Sequence, residues 1–478
     1  MQMNHVLPIR LLPVGIGCAT ICALLCLSFM AQAQMPPEPG AAAGIELTNL
    51  SKNTPKFASV FPKLAVNRAN PNIVVVAWRR HSIPVDTAMP VPPRYAECFV
   101  SISKDGGKTF VDRNMMDVLR NDGRDGGQVL RGCNVPWIGI ANDNTMYFGA
   151  AMNNVDPCTG DAKTCNGGLN KVGRSVVSAS TDGGRTWSKG VPGVTIARMA
   201  PGVTGLGGGM ESKNTPWDGN FGFVDPQTAT FYLTVGGQYL TSSDDKAKTF
   251  GPVYGISRSG SSGAAGFGTV ALARIETDYP NAKCPCLVFV TSADKGNTFT
   301  NSLVAQAGQF NREGTIRYPI PAANPVKAGS FAIAVYAPDH VTVKVFYTSD
   351  YGKNWRMAEP KPISPNILFN NANQVGIGYT DDGRILLTWR AFRNPGAFNT
   401  FVAMLDNDTF GPTIKISPEL SIYPPLTYAG WYGGGNGGGD FTTWVEGNNT
   451  DAFVAFPYAP RGEVLDTYLA RVPLRLLK

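Results

Sequence analysis

Histidine is nearly absent from this chain of 478 residues, which holds three. Beyond the N-terminal segment only His81 and His340 remain. Neither lies near a Gly-x-Ser-x-Gly elbow, so a Ser-His-Asp hydrolase is excluded. No Gly-x-x-x-x-Gly-Lys-Ser/Thr run occurs, which removes a P-loop phosphate cradle. The glycine run 433–439 lacks the strand-then-helix setting of a nucleotide site and reads as a loop. Dense Lys/Arg blocks are missing, so nucleic acid is not an expected partner. Long amphipathic helical stretches are missing too. Glycine (54) and proline (36) are plentiful, as a chain dense in turns requires. Together these features predict an all-β protein.

Cysteine is modest at nine, and Cys18, Cys22 and Cys26 fall in an apolar N-terminal stretch. That stretch follows a single charge, Arg10, and ends in Ala31-Gln-Ala33, a small-x-small cleavage pattern. Residues 1–33 therefore read as a signal peptide. Pro13, Gly15 and Gly17 weaken the alternative, a membrane-spanning anchor. Residues 34–44, with Pro36, Pro37 and Pro39, read as a flexible leader. The expected location is secreted or periplasmic, with no membrane anchor after cleavage.

Six cysteines remain after cleavage: Cys98, Cys133, Cys158, Cys165, Cys284 and Cys286. An even number in an exported chain suggests disulfides, with fifteen pairings open. Cys158 and Cys165 bracket a polar, glycine-containing loop and are the expected pair. Cys284-Pro-Cys286 lacks the two-residue gap and the histidines of a zinc site, so neither metal nor cofactor is expected. Without the signal the chain carries 41 basic and 35 acidic residues, a mild positive balance compatible with an anionic glycan.

Against these absences stands one octet written five times. Ser103-Lys-Asp105-Gly-Gly107-Lys-Thr109-Phe110, Ser180-Thr-Asp182-Gly-Gly184-Arg-Thr186-Trp187 and Ser292-Ala-Asp294-Lys-Gly296-Asn-Thr298-Phe299 follow Ser/Thr-x-Asp-x-Gly-x-Thr-aromatic in full. A fourth copy, at Asp245, puts Ala247 in place of the glycine. A fifth, at Asp350, puts Asn354 in place of the threonine. Asp and Ser side chains fix a tight turn through nearby backbone N–H groups, and Gly supplies a positive φ. The aromatic ring anchors the turn between layers. The aspartates lie 77, 63, 49 and 56 residues apart, and each interval is long enough for a four-stranded blade.

The octets resemble the Asp-box, or BNR, repeats of sialidases and their relatives. That resemblance implies one β-propeller of six or seven blades over residues 45–478. It also implies that Asp105, Asp182, Asp245, Asp294 and Asp350 are structural turn residues at the blade periphery, away from the central pocket.

For function, the resemblance implies arginines around a sugar carboxylate, an Asp acid, and a Tyr nucleophile activated by Glu, with no metal. The strand Asn72–Trp78 runs into Arg79 and Arg80, with Asp86 in the following loop and the first box beyond. By likeness Arg80 is a carboxylate ligand and Asp86 the acid/base, unless the arginines are solvated strand ends. Arg317 and Arg390 are further strand-terminal candidates, Tyr428 and Tyr432 candidate nucleophiles, and Glu211 the candidate base. The Arg-Ile-Pro element of the family is replaced by Phe61-Pro62-Lys63-Leu64. Trp137, Trp217, Trp431 and Tyr432 are candidates for stacking on sugar rings, with core packing as the alternative. Two functions follow. One is a secreted exo-glycosidase that removes a terminal acidic sugar. The other is a non-catalytic propeller that binds glycan or protein at its central face.

Overall fold

Runs rich in Val, Ile, Phe and Tyr, broken by glycine and Asx turns, pair here into seven antiparallel sheets, the blades of a β-propeller. The structure, a computed structural model, describes residues 42–54, 57–84, 96–120, 124–125, 128–129, 132–153, 173–194, 198–201, 203, 221–256, 263–311, 319–338, 343–360, 375–394, 397–419, 421–422, 443–459 and 465–478.

From the inside outward, blade 1 holds Phe57–Val66, Val74–Pro84, Glu97–Ser103 and Val111–Asn114. Blade 2 holds Gly132–Ile140, Met146–Asn153, Gly173–Ser180 and Val191–Pro192. Blade 3 holds Phe221–Val224, Phe231–Val235, Tyr239–Ser243 and Tyr254–Gly255. Blade 4 holds Gly263–Gly266, Thr269–Glu276, Cys286–Ser292 and Thr300–Ala305. Blade 5 holds Ile320–Ala323, Phe331–Tyr336, Val343–Thr348 and Arg356–Ala358. Blade 6 holds Gly376–Tyr379, Ile385–Asn394, Ala397–Asp406 and Thr409–Phe410, and its third strand also pairs with Ile414–Lys415 and Ser421–Ile422. Blade 7 holds Trp444–Gly447, Asp451–Tyr458, Asp466–Pro473 and, outermost, Glu46–Asn49.

That last strand closes the ring. Glu46 pairs with Arg471 and Asn49 with Tyr468 in antiparallel register. Side chains reinforce the seam, with Asn49 donating to Asp466 at 2.9 Å and Ser51 Oγ donating to the same carboxylate at 2.6 Å. Joining the two ends of the chain in one sheet removes the open strand edges a broken ring would expose.

Each neighbouring pair of blades shares one apolar cluster, and the one between blades 7 and 1 joins Leu64, Val74 and Trp78 to Trp444, Phe453 and Leu469. Burying a ring such as Phe453 contributes about 3 kcal/mol. Trp137 belongs to this packing and corrects the sugar-stacking expectation. It is fully buried between blades 2 and 3, stacked on Phe231 at 5.1 Å. Gly149 and Gly222 make room for it, because a Cβ on either would stand 2.2 or 2.3 Å from its ring.

Among the described residues, disulfides join Cys98 to Cys133, linking blade 1 to blade 2, and Cys284 to Cys286. The expected pair Cys158 and Cys165 lies outside the described residues, as do residues 1–41. No helix among the described residues is long and apolar enough to cross a membrane.

Candidate functional site

The box turns join the third and fourth strands of blades 1 to 5, on the outer side of each blade. In the first, Asp105 Oδ1 accepts from the amides of Lys108 and Thr109 at 3.1 and 2.9 Å, and Oδ2 accepts from the Thr109 hydroxyl at 2.6 Å. Ser103 Oγ accepts from the Gly107 amide at 2.8 Å. The turn at Asp182 repeats the threonine and serine bonds, with Thr186 donating at 2.6 Å and Ser180 accepting from the Gly184 amide. So do those at Asp245 and Asp294. In the fifth, the Asn354 amide group replaces the threonine hydroxyl and donates to Asp350 at 2.7 Å. The Thr109 hydroxyl and amide hold the Asp105 carboxyl well below the usual carboxylate range, and those of Thr186 do the same for Asp182. Each carboxylate is thus engaged by its own turn.

The first-to-second-strand turns lie at the same end as the boxes, since Gly106 N donates to Asn72 O at 2.9 Å and Tyr351 N to Gly329 O at 2.8 Å. Second strands therefore run away from the boxes and finish at the opposite face. On the way, Val74–Pro84 of blade 1 carries Trp78-Arg79-Arg80 and Ile385–Asn394 of blade 6 carries Trp389-Arg390, so Arg390 lies within its strand and not at its end. Each Trp stacks on a Phe of the third strand, Trp78 on Phe99 at 4.4 Å and Trp389 on Phe401 at 6.0 Å. Arg79 and Arg390 thus hold the same place in two blades. Arg79 lies 5.6 Å from the Phe61 ring and Arg390 4.6 Å from that of Phe398. Arg390 is wholly buried. Trp389 packs between blades 5 and 6, so the alternation of the strand turns Arg390 toward blade 7. Arg80 forms an ion pair with Glu97 at 2.9 Å and lies 4.7 Å from the Phe57 ring. Arg80 and Arg390 both lie near mid-strand, on blades separated by blade 7. Asp86, Glu211, Arg317, Tyr428 and Tyr432 lie outside the described residues, as do Trp217 and Trp431.

A second group of charges lines the central channel, where the inner strands of all seven blades enclose a cavity of about 130 Å³. Small residues, among them Ala65, Gly139, Gly222, Ala264 and Ala322, line it beside the charged Lys63, Arg68 and Glu446. A bulge at Phe61-Pro62, with Phe61 at φ +56°, shifts the register between Val60 and Lys63 and re-aims the residue that follows. Lys63 Nζ stands 3.3 Å over the Trp444 ring and 5.5 Å from that of Phe221. Burial pushes its ammonium down to about 7, against the opposing pull of Glu446. Arg68 Nη1 donates to Asp381 at 3.0 Å and to the carbonyls of Tyr379 and Gly447, while Nη2 pairs with Glu446. Burial raises the Glu446 and Asp381 carboxyls, and Arg68 opposes it. Of this group, sequence reading named Lys63 alone, as the occupant of the missing Arg-Ile-Pro element. The available signal was a charge inside an otherwise apolar strand, as in Trp444-Val-Glu446-Gly.

The fold and these sites define a seven-bladed β-propeller with an internal charged channel. No family model matches the chain, and no curated protein matches it. Among solved structures it is similar to a Dyadobacter fermentans protein of unknown function, with 15% identity, 90% of this chain and 100% of that one covered, and a TM-score of 0.47. It is also similar to a Hadza microbial sialidase, with 13% identity, 88% and 66% coverage and a TM-score of 0.43. A third is Trypanosoma rangeli sialidase in complex with a difluorinated nononic acid, with 14% identity, 90% and 58% coverage and a TM-score of 0.45. This chain therefore spans less than two thirds of either sialidase.

Proposed function

We propose that this protein is an exported, sialidase-like propeller that takes a terminal acidic sugar at the face opposite the box turns and cleaves it as an exo-glycosidase. The observation that supports this reading is that the second strands of blades 1 and 6 each carry an arginine just past a Phe-stacked Trp, Arg79 followed by Arg80 in blade 1 and Arg390 in blade 6. A guanidinium suits a sugar carboxylate because it stays charged at any working pH and grips both oxygens. In this reading Arg80, Arg317 and Arg390 bind the carboxylate, and Asp86 gives a proton to the leaving oxygen. Tyr428 or Tyr432 attacks the anomeric carbon while Glu211 takes the phenolic proton. The partner is an anionic glycan or glycoconjugate. Export rests on the apolar segment 1–33 and on the two disulfides, which persist in oxidising compartments.

One observation favours the non-catalytic alternative, a glycan-binding platform. Arg80 is already paired with Glu97 and Arg390 is buried, so part of the cationic capacity is engaged within the protein. Purified protein assayed on sialyl and uronyl chromogenic glycosides, beside Asp86→Ala and Arg317→Ala, separates the two. Turnover that both variants lose supports the glycosidase. No turnover, with retention on immobilised acidic glycans, supports the platform, and neither result on any acidic sugar removes both.

A further inference from the structure

We propose that the channel cavity is a second site in which Lys63 acts as a nucleophilic amine and captures a small neutral aldehyde or ketone as an imine. The distribution of charge is the first ground. Four ionisable groups meet here, and Arg68 holds both carboxylates, Glu446 and Asp381. Lys63 is left with no carboxylate within ion-pair distance among the described residues. Its nearest polarisable partner is the Trp444 ring at 3.3 Å. It is only 9 % exposed.

The setting then favours the neutral amine. Burial lowers the ammonium to about 7, so that at neutral pH a large share is unprotonated. A lysine desolvated in an apolar pocket is a recognised way to make a Schiff-base nucleophile. The cavity of about 130 Å³ is close to the size of an engineered cavity that binds benzene, so a ligand of about six heavy atoms fits within it. A carboxylate-bearing compound would meet Glu446, so a neutral carbonyl compound suits the site better.

The step balances without a co-reactant. The Nζ lone pair forms the C–N bond while the carbonyl π pair moves to oxygen, which takes the proton that nitrogen releases. The carbinolamine then loses its hydroxyl with one further proton as water, leaving C=N. Once protonated the imine is again a cation, and the Trp444 face stabilises it as it did the ammonium.

Reductive labelling of the full-length protein tests this. Propanal with cyanoborohydride at pH 7, at low molar excess and followed by peptide mapping, should alkylate Lys63 at least about tenfold faster than the exposed Lys104. The Lys63 labelling rate should fall as pH drops from 7 to 5, while the preference over Lys104 should shrink as pH rises toward 10, vanish in urea, and be absent in Lys63→Arg. Naphthaldehyde, too large for the cavity, should leave Lys63 unlabelled. Labelling of Lys63 no faster than Lys104 in the folded protein overturns the proposal, as does equal labelling by naphthaldehyde. Both readouts use wild-type protein, so they stand whether or not a variant folds, and independently of any glycosidase result.

Discussion

Arg68 of blade 1 donates to the Asp381 carboxylate of blade 6 at 3.0 Å, across the seam that blade 7 closes. The same guanidinium holds Glu446 and the Gly447 carbonyl of blade 7, so one side chain ties three blades together. Removing it strands two carboxylates where burial already disfavours their charge. Losing one partner of a buried ionic group typically costs about 3–5 kcal/mol. We expect Arg68→Ala to lose stability on that scale in urea unfolding, and Arg68→Ala with Glu446→Gln to recover part of it. A loss below 1 kcal/mol in the single variant would show that the knot is dispensable to closure.

Acid should loosen the box turns. The Thr298 hydroxyl and amide lower Asp294 to about 2, and the Asn354 amide and side chain lower Asp350 to about 2. The unfolded carboxyls titrate near 4. A group depressed on folding stabilises the native state above its unfolded value and loses that contribution as pH falls through its folded one. Tm should therefore drop between about pH 4 and pH 2. Asp294→Asn should be less stable at pH 7 and show a shallower acid slope. An acid slope identical to wild type would mean that this turn does not take part.

Three box turns place non-glycine residues, Lys246, Lys295 and Tyr351, in the left-handed region where Gly106 and Gly183 stand in the others, Lys246 at φ +63°. An L-residue there costs roughly 1–2 kcal/mol. The ion pair of Lys246 with Asp143, at 3.5 Å and almost half exposed on both sides, offsets at most about 1 kcal/mol of it. Lys246→Gly should therefore raise the urea midpoint, by about 1 kcal/mol in stability. A lower midpoint would mean that the ion pair outweighs the strain.

These turns were legible in the sequence because every partner lies within five residues. Asp105, Thr109 and Gly107 satisfy one another without help from the rest of the fold. The blade count was not fixed in the same way, because blades 6 and 7 carry no box and their inner strands are short. Gly376-Ile-Gly-Tyr379 gives a pattern search little to hold. A second repeat also went unread. Asn67, Asp225, Asn324 and Asn448 each end an inner strand and accept from two following amides, as Asn324 does from Val326 and Lys327. The Arg68 knot could not be read at all, since it joins positions 68, 381 and 446, which only ring closure brings together.

Glu97 offers the sharpest test of the proposed sugar face. Its carboxylate pairs with Arg80 at 2.9 Å and also accepts from Asn114 Nδ2 at 2.9 Å. In Glu97→Gln the amide oxygen keeps a bond to Asn114, while the charge that competes for the guanidinium is gone. A partly exposed pair of this kind is worth about 0.2–1 kcal/mol, so affinity for an acidic sugar should rise by up to about fivefold. The gain should fade as salt screens the exposed charge. Affinity measured on immobilised acidic and neutral glycans at low and high salt decides the matter. If the acidic glycan gains nothing at low salt, or the neutral one gains equally, Arg80 does not face the sugar carboxylate, and the ligand contacts of this face belong to other residues.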